Sequence, residues 1–400
     1  MKIGIDIVEI SRFSRMRDPE AFAKRVFTRG EREYFSKKKN CYESMAGFYA
    51  AKEAFSKYMG SGMRGFGWKD IEVVHDDLGK PELHFLEKPM EVELSISHSD
   101  TVAVAVVCGE GEPLGGVYAE EIKAYRALLP KRFDAMHKGD CGRLFLLAGS
   151  VGMTGAAALC AEAAMRTGSG LVTVGTPAPA QPVLAAKLTE AMTLPICEED
   201  ADLALSQIKE QIEKSDAVGI GPGLGRTGAV LSALQIALKS GKPLVIDADG
   251  LNALAEHIDI LEEEHGTVVL TPHPGEMSRL CGKPSEEIQE RRAEIAAEFA
   301  KQYQVTLLLK GKDTVIASPR GEVHQNPTGN SGMASGGMGD VLTGVIASLL
   351  GQGMDGYLAA VLGAFLHGLA GDLAAEELGE FGMIAGDVVQ KLPHAIKALQ

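Results

Sequence analysis

The chain carries two kinds of apolar pattern. In its larger, later part, short apolar runs alternate with stretches of helical period. LFLLAG precedes GAAALCAEAAMRTG, LVTVGTP precedes a helical stretch, and AVGIGPG, PLVIDADG, TVVLTPHPGE and TLLLKG follow. Runs without polar alternation, separated by helices, predict a parallel sheet covered on both faces. Such sheets bind ligands beyond the carboxyl ends of their strands, and each run here ends in Gly, Asp, His or Lys. The first 108 or so residues are of mixed α and β character. Ile3, Ile5 and Ile7 alternate with Gly4 and Asp6, predicting a strand with the isoleucines in the core and Asp6 on the opposite face. Met45, Phe48, Phe55 and Met59 make a helical stripe, with Glu53 and Lys57 one turn apart on another face. TVAVAVVC then reads as a strand, and GEGEPLGG after it as a linker. The expected fold is therefore α/β. A small α+β domain over 1–110 precedes a large domain over 118–400, whose mostly parallel sheet has helices on both faces.

Composition narrows the class. At 400 residues the chain exceeds the usual size of one core. The longest apolar stretches read as broken short of the roughly 18 residues that a membrane span needs. Asp6 and Glu9 interrupt the apolar start, unlike a signal peptide. A cytoplasmic protein without a membrane partner is the expectation. The six cysteines show no zinc spacing and are expected to be reduced thiols. A net charge of -14 argues against nucleic acid. Residues 1–39 nevertheless hold eleven Lys or Arg against six Asp or Glu, which suggests an acidic partner.

Three early pieces carry chemistry: GIDIVEISRF, FYAAKEAFSKYMGSG and LSISHSD. By spacing alone, Glu53 and Lys57 could be a surface ion pair and Asp6 a solvated strand residue. Together and in this order, the three pieces resemble holo-[acyl-carrier-protein] synthase, a phosphopantetheinyl transferase, from residue 1 to about 108. The resemblance implies that Asp6 and Glu53 hold Mg2+, which bridges the pyrophosphate of coenzyme A. It also implies that Lys57, Lys80 in its GKP turn, Ser97 and His98 contact the coenzyme, His98 with a catalytic part. Arg12, Arg15, Arg17, Arg25 and Arg29 would meet the acidic helix of acyl carrier protein. Where that family has a further helix between PELHF and SISH, this chain has only LEKPMEVEL.

Late in the chain, NSGMASGGMGDVLTGVIASLL packs five glycines around Asp340. A glycine-rich turn entering a helix presents unpaired N–H groups to an anion. The absence of G-K-[ST] excludes a Walker A loop. A tight turn with Asp340 as a cap is the other reading. The G-x-G-D pattern resembles the ribokinase-like fold. With HKGDCGRLFLLAGSVGMTGAAAL, GIGPGLG, IDADGLNAL, LTPHPGEMSRL and LLKGKDTVIA, it resembles the ADP- or ATP-dependent NAD(P)H-hydrate dehydratases over most of 120–400. The resemblance implies nucleotide contacts at Lys310, Gly311, Lys312, Asp313, Thr314 and Gly339. It implies a hydrate site of Ala156, Gly223, His273 and Asp340, with Asp340 taking a hydroxyl proton and Mg2+ shielding the phosphoryl group. His273 could instead be a turn residue and Lys310 a solvated strand end. Asp247 and Asp249 read as loop-ordering residues. The family's A-T-G-G-T-G-D is A-S-G-G-M-G-D here, so Met338 replaces a hydroxyl.

The expectation is a bifunctional homo-oligomeric enzyme. One part transfers 4'-phosphopantetheine from coenzyme A to acyl carrier protein; the other dehydrates the S epimer of NADHX or NADPHX with ADP, ATP being the alternative nucleotide. An epimerase segment is not recognised, so that step would fall to another gene or to spontaneous epimerisation. The alternative is a ribokinase-like small-molecule kinase with a non-catalytic docking domain for the carrier protein.

Overall fold

The computed structural model describes residues 2–38, 40–59, 66–76, 79–86, 88–90, 92–109, 118–225 and 228–400. The chain forms two compact units, Met1–Lys123 and Ala124–Gln400. Of the linker expected at 109–116, all but Gly109 lies outside the described residues.

The helix Cys41–Met59 is the centre of the first unit. Against it lies an antiparallel sheet of β1 (Lys2–Glu9), β6 (Val102–Gly109) and β5 (Glu93–His98), in that order. A second sheet joins β2 (Ile71–His75), β3 (Pro81–Phe85) and β4 (Lys88–Pro89). Among the described residues between Phe85 and Ser95 there is no helix; Glu87 and Glu91 lie outside them. Met45, Phe48, Phe55 and Met59 are buried as expected. The isoleucines are not. Ile3, Ile5 and Ile7 are 52%, 49% and 64% exposed, while Gly4 and Val8 are buried. Gly4 gives the reason: a Cβ there would stand 1.9 Å from the carbonyl oxygen of Ala54 and 2.6 Å from the Tyr58 nitrogen. Only the face bearing glycine lets the helix approach so closely, so Gly4, Asp6 and Val8 turn inward and the larger side chains outward.

Lys52 and Glu31 form an ion pair of 2.7 Å with both side chains wholly buried. The Lys52 ammonium also donates to the carbonyls of Val26, Trp68 and Ile71. Glu31 accepts from the amides of Thr28 and Val73. Burial pushes the Glu31 pKa up and that of Lys52 down, each against the attraction of its partner.

The second unit contains one nine-stranded sheet. Parallel strands run in the order β13, β12, β11, β10, β7, β8 and β9, with β14 and β15 added antiparallel beyond β13. Their ranges are β7 (Arg143–Leu147), β8 (Leu171–Pro177), β9 (Met192–Ile196), β10 (Ala217–Ile220), β11 (Leu244–Ile246), β12 (Val268–Leu270), β13 (Thr306–Leu309), β14 (Val315–Ala317) and β15 (Val323–Gln325). The predicted mostly parallel sheet is present. One expectation is corrected: the helix Gly356–Leu378 is long and apolar enough to cross a membrane. Its three interior glycines do not break it, and most of it is buried in the unit, where side-chain packing replaces lipid.

Candidate active sites

The first candidate site lies where β1 meets the helix Cys41–Met59. Asp6, on the inward face, accepts from the Lys57 ammonium at 2.9 Å, and that ammonium also bonds the Ile5 carbonyl. Lys57 thus pairs with Asp6 rather than with Glu53, against the surface-pair reading. Glu53, one turn earlier, accepts from the Tyr49 hydroxyl at 3.0 Å, and the Arg12 guanidinium lies 5.3 Å from the Tyr49 ring centroid. Burial, then the Glu53 charge, raises the Tyr49 pKa, so this hydroxyl stays a donor.

Register places the other candidates. Val8 is opposite Ala103, which is opposite His98, so His98 shares the inward face with Asp6. Ser97 aligns with Val104 and Ile7, on the outer face. The sheet therefore parts two neighbours that the resemblance groups on one coenzyme. Lys80 lies in the turn before β3, paired with Glu93 at 2.9 Å. No cluster of three metal-ligating side chains occurs among the described residues. Two carboxylates on packed elements do fit Mg2+, which completes its shell with waters and substrate phosphates.

The second candidate site is built on strand ends. Asp247 follows β11 and is 1% exposed. One of its oxygens accepts from the Lys310 ammonium at 2.7 Å, the other from the Thr343 hydroxyl at 2.8 Å. Lys310 follows β13 and also lies 3.8 Å from Glu276. It is not the solvated strand end that the sequence allowed. Burial opposes its charge, but Asp247 and Glu276 outweigh that and hold its pKa above the usual value. The helix Met338–Gly351 enters this cluster with Asp340 in its first turn. Burial, then the charge of Asp247, pushes the Asp340 pKa up to about 6, against the pull of Lys310.

Glycines shape the approach. Gly337 caps the helix with φ +93°. A Cβ on Gly339 would stand 3.2 Å from the Lys310 ammonium and 3.5 Å from Asp247, so this nucleotide-site candidate is brought to the charge cluster. Met338 is buried; its side chain belongs to the packing, while its main chain remains in the helix's first turn. Gly223, at φ +64°, lies against Ala156, whose Cβ would be 3.0 Å from one added at Gly223. Two hydrate-site candidates, one in the first turn of the helix Thr154–Thr167 and one in the loop after β10, thus meet. His273 caps the helix Pro274–Cys281: its Nδ1 accepts from Gly275 and Glu276, and the Glu276 carboxylate accepts from the His273 amide. Burial, then Lys310, lowers the His273 pKa. A neutral ring with Nδ1 accepting carries its proton on Nε2; the side chain is 52% exposed, and Nε2 lies 3.5 Å from a Glu276 oxygen. Gly311 to Thr314 follow Lys310 at the surface, with the Thr314 hydroxyl on the Gly311 carbonyl.

Sequence reasoning missed Asp247, Thr343 and Glu276. Asp249 does order a loop, accepting from the Gly225 amide at 2.8 Å. Asp247 instead joins the charge cluster. The signal available was its place at the carboxyl end of a central strand.

Residues 144–394 match the family model described as NAD(P)H-hydrate dehydratase. The chain belongs to that family. Residues 2–108 match the model of the 4'-phosphopantetheinyl transferase superfamily. The chain is 39% identical over 275 residues to the ADP-dependent (S)-NAD(P)H-hydrate dehydratase of Bacillus subtilis, covering 69% of this chain and 96% of that one. It is 49% identical over 280 residues to the bifunctional NAD(P)H-hydrate repair enzyme Nnr of Moorella thermoacetica. That match covers 69% of this chain and 53% of the Moorella protein, so the chain spans about half the length of this relative. A crystal structure of the ADP/ATP-dependent NAD(P)H-hydrate dehydratase from B. subtilis, co-crystallized with ATP/Mg2+, superposes with a TM-score of 0.62 at 36% identity. It covers 70% of this chain and 97% of that chain.

Proposed function

We propose that the second unit dehydrates the S epimer of hydrated NADH or NADPH with ADP. The observation that carries this reading is Asp340, a carboxylate with its pKa raised to about 6, in the first turn of a helix beside the Lys310–Asp247 pair. In the proposed reaction Asp340 takes the proton of the hydrate's hydroxyl, and that oxygen attacks the β-phosphorus of ADP as the bond to AMP breaks. Lys310 and the amides of the glycine loop offset charge on the moving phosphoryl group. The ring nitrogen's electron pair then expels phosphate from carbon, and loss of a proton from the adjacent ring carbon restores the dihydropyridine; hydrate and ADP give reduced cofactor, AMP, phosphate and a proton. Ala156, Gly223 and His273 would orient the hydrate, and Lys310 to Thr314 with Gly339 the nucleotide. Incubation with ADP and hydrated NADH should restore reduced-nicotinamide absorbance. No return with ADP or with ATP would reject the reading.

For the first unit we infer phosphopantetheinyl transfer to acyl carrier protein, from Asp6 and Glu53 on packed elements next to Lys57. Mg2+ held there would supply charge neutralisation at the coenzyme's pyrophosphate. Lys57, Lys80, Ser97 and His98 remain the candidates for coenzyme contact, and the linker is proposed to lie within 110–118. Apo carrier protein, incubated with coenzyme A and Mg2+, should gain the mass of one phosphopantetheine. Asp6→Ala or Glu53→Ala should lower that rate at least about a hundredfold and leave dehydration unchanged; an unchanged carrier mass with the parent protein would reject transfer.

A further inference from the structure

Arg292 is the first residue of the helix Arg292–Tyr303. Its sequence neighbour Arg291 is bound up with Glu287 and Glu294 at the surface. Arg292 forms no close ion pair among the described residues, although the Asp313 charge in the following loop attracts it. One terminal nitrogen donates to Gln289 at 3.0 Å; the other donates to the carbonyls of Leu309 at 2.9 Å and Lys310 at 3.3 Å. Its Nε is buried without a partner. The guanidinium lies directly under the next peptide: a Cβ on Gly311 would be 2.9 to 3.3 Å from three of its atoms, and Gly311 has φ +145°. Glycine is thus required for the loop to rest on the arginine.

In a trans peptide the C=O and the following N–H point to opposite sides. With the Leu309 carbonyl held by Arg292, the Lys310 amide faces away, and it bonds the Pro272 carbonyl at 2.8 Å. By the same geometry, holding the Lys310 carbonyl turns the Gly311 amide away from the arginine. A carbonyl swung the other way would present negative charge where an anion is to be bound. We propose that Arg292 is a positioning residue for the nucleoside diphosphate. It pins the carbonyls of Leu309 and Lys310 so that at the start of the loop the Gly311 amide, and not the Lys310 carbonyl, is turned to the phosphates. This rests on reading that loop as the nucleotide contact.

The test is ADP binding by calorimetry to the full chain, together with dehydratase kinetics, for Arg292→Lys and Arg292→Gln. Lysine keeps the charge but lacks the planar fork. Both variants are expected to bind ADP about tenfold more weakly. The KM for ADP should rise in step, with kcat at saturating ADP and the KM for the hydrate within about twofold of the parent. Parental ADP affinity in Arg292→Lys would overturn the proposal, because charge alone would then suffice. A matching loss in kcat and in hydrate KM would overturn it too, as general damage to the site. If Arg292→Gln does not fold, Arg292→Lys decides alone. Failure of the parent protein to bind ADP would remove the nucleotide reading itself; normal parental binding with an unaffected Arg292→Lys removes only the role of Arg292.

Discussion

Asp340→Asn is expected to lower dehydratase turnover by about 10²- to 10⁴-fold, the usual contribution of a positioned general base, and at the same time to stabilise the second unit. Burial and the Asp247 charge raise the Asp340 pKa from 3.8 to about 6. A carboxyl bound more tightly to its proton in the folded state disfavours folding when ionised. The shift corresponds to an upper limit of about 3 kcal/mol at pH 7. The folded protein binds the extra proton between pH 4 and 6, so this penalty is absent below pH 4 and fully present above pH 6. Urea melts of parent and variant should therefore differ most at pH 7 and converge toward pH 4. A difference independent of pH would contradict the assignment. The parent's turnover should fall as pH drops through about 6, because the base must be unprotonated. Activity and stability are opposed here in one side chain, as at many strained or desolvated sites.

Lys52→Met should have the largest effect on the first unit, a loss of about 3 to 5 kcal/mol. Removing the ammonium leaves Glu31 buried with its charge unanswered, and strips a donor from the carbonyls of Val26, Trp68 and Ile71. The double variant Glu31→Leu with Lys52→Met should recover part of that loss, since an apolar pair needs no partner. The chain has a single tryptophan. That residue, Trp68, stacks on Tyr49 in the first unit at 5.1 Å between ring centroids. Its fluorescence therefore reports unfolding of this unit, while dehydratase activity reports the other. A Lys52→Met melt matching the parent's would contradict the account.

The apolar runs made the second unit legible because a strand buried on both faces has little choice of surroundings. β14 and β15 escaped notice because they return antiparallel beyond β13 with no helix between them, outside the strand–helix alternation that marked the others. In β1, period-2 alternation defined two faces but not which was inner. Size usually decides in favour of isoleucine. The close approach of the helix at Gly4 reversed that preference. The glycine loop and Asp340 could be singled out because they are local. The roles of Asp247, Glu276 and Thr343 could not, because they depend on side chains brought together from separated strands and helices. Within LSISHSD, adjacency in sequence misled in the opposite way: Ser97 and His98 belong to different faces of the sheet.

The register of β1 has a bearing on synthesis. Lys2 is paired with Gly109 and Glu9 with Val102, so the strand leaves the ribosome about a hundred residues before this ladder partner. At roughly 5 to 20 residues per second, it waits on the order of 5 to 20 s with both edges open. Its three isoleucines are a template for another nascent chain during that wait, and Lys2, Asp6 and Glu9, set among them, are the charges that discourage such pairing.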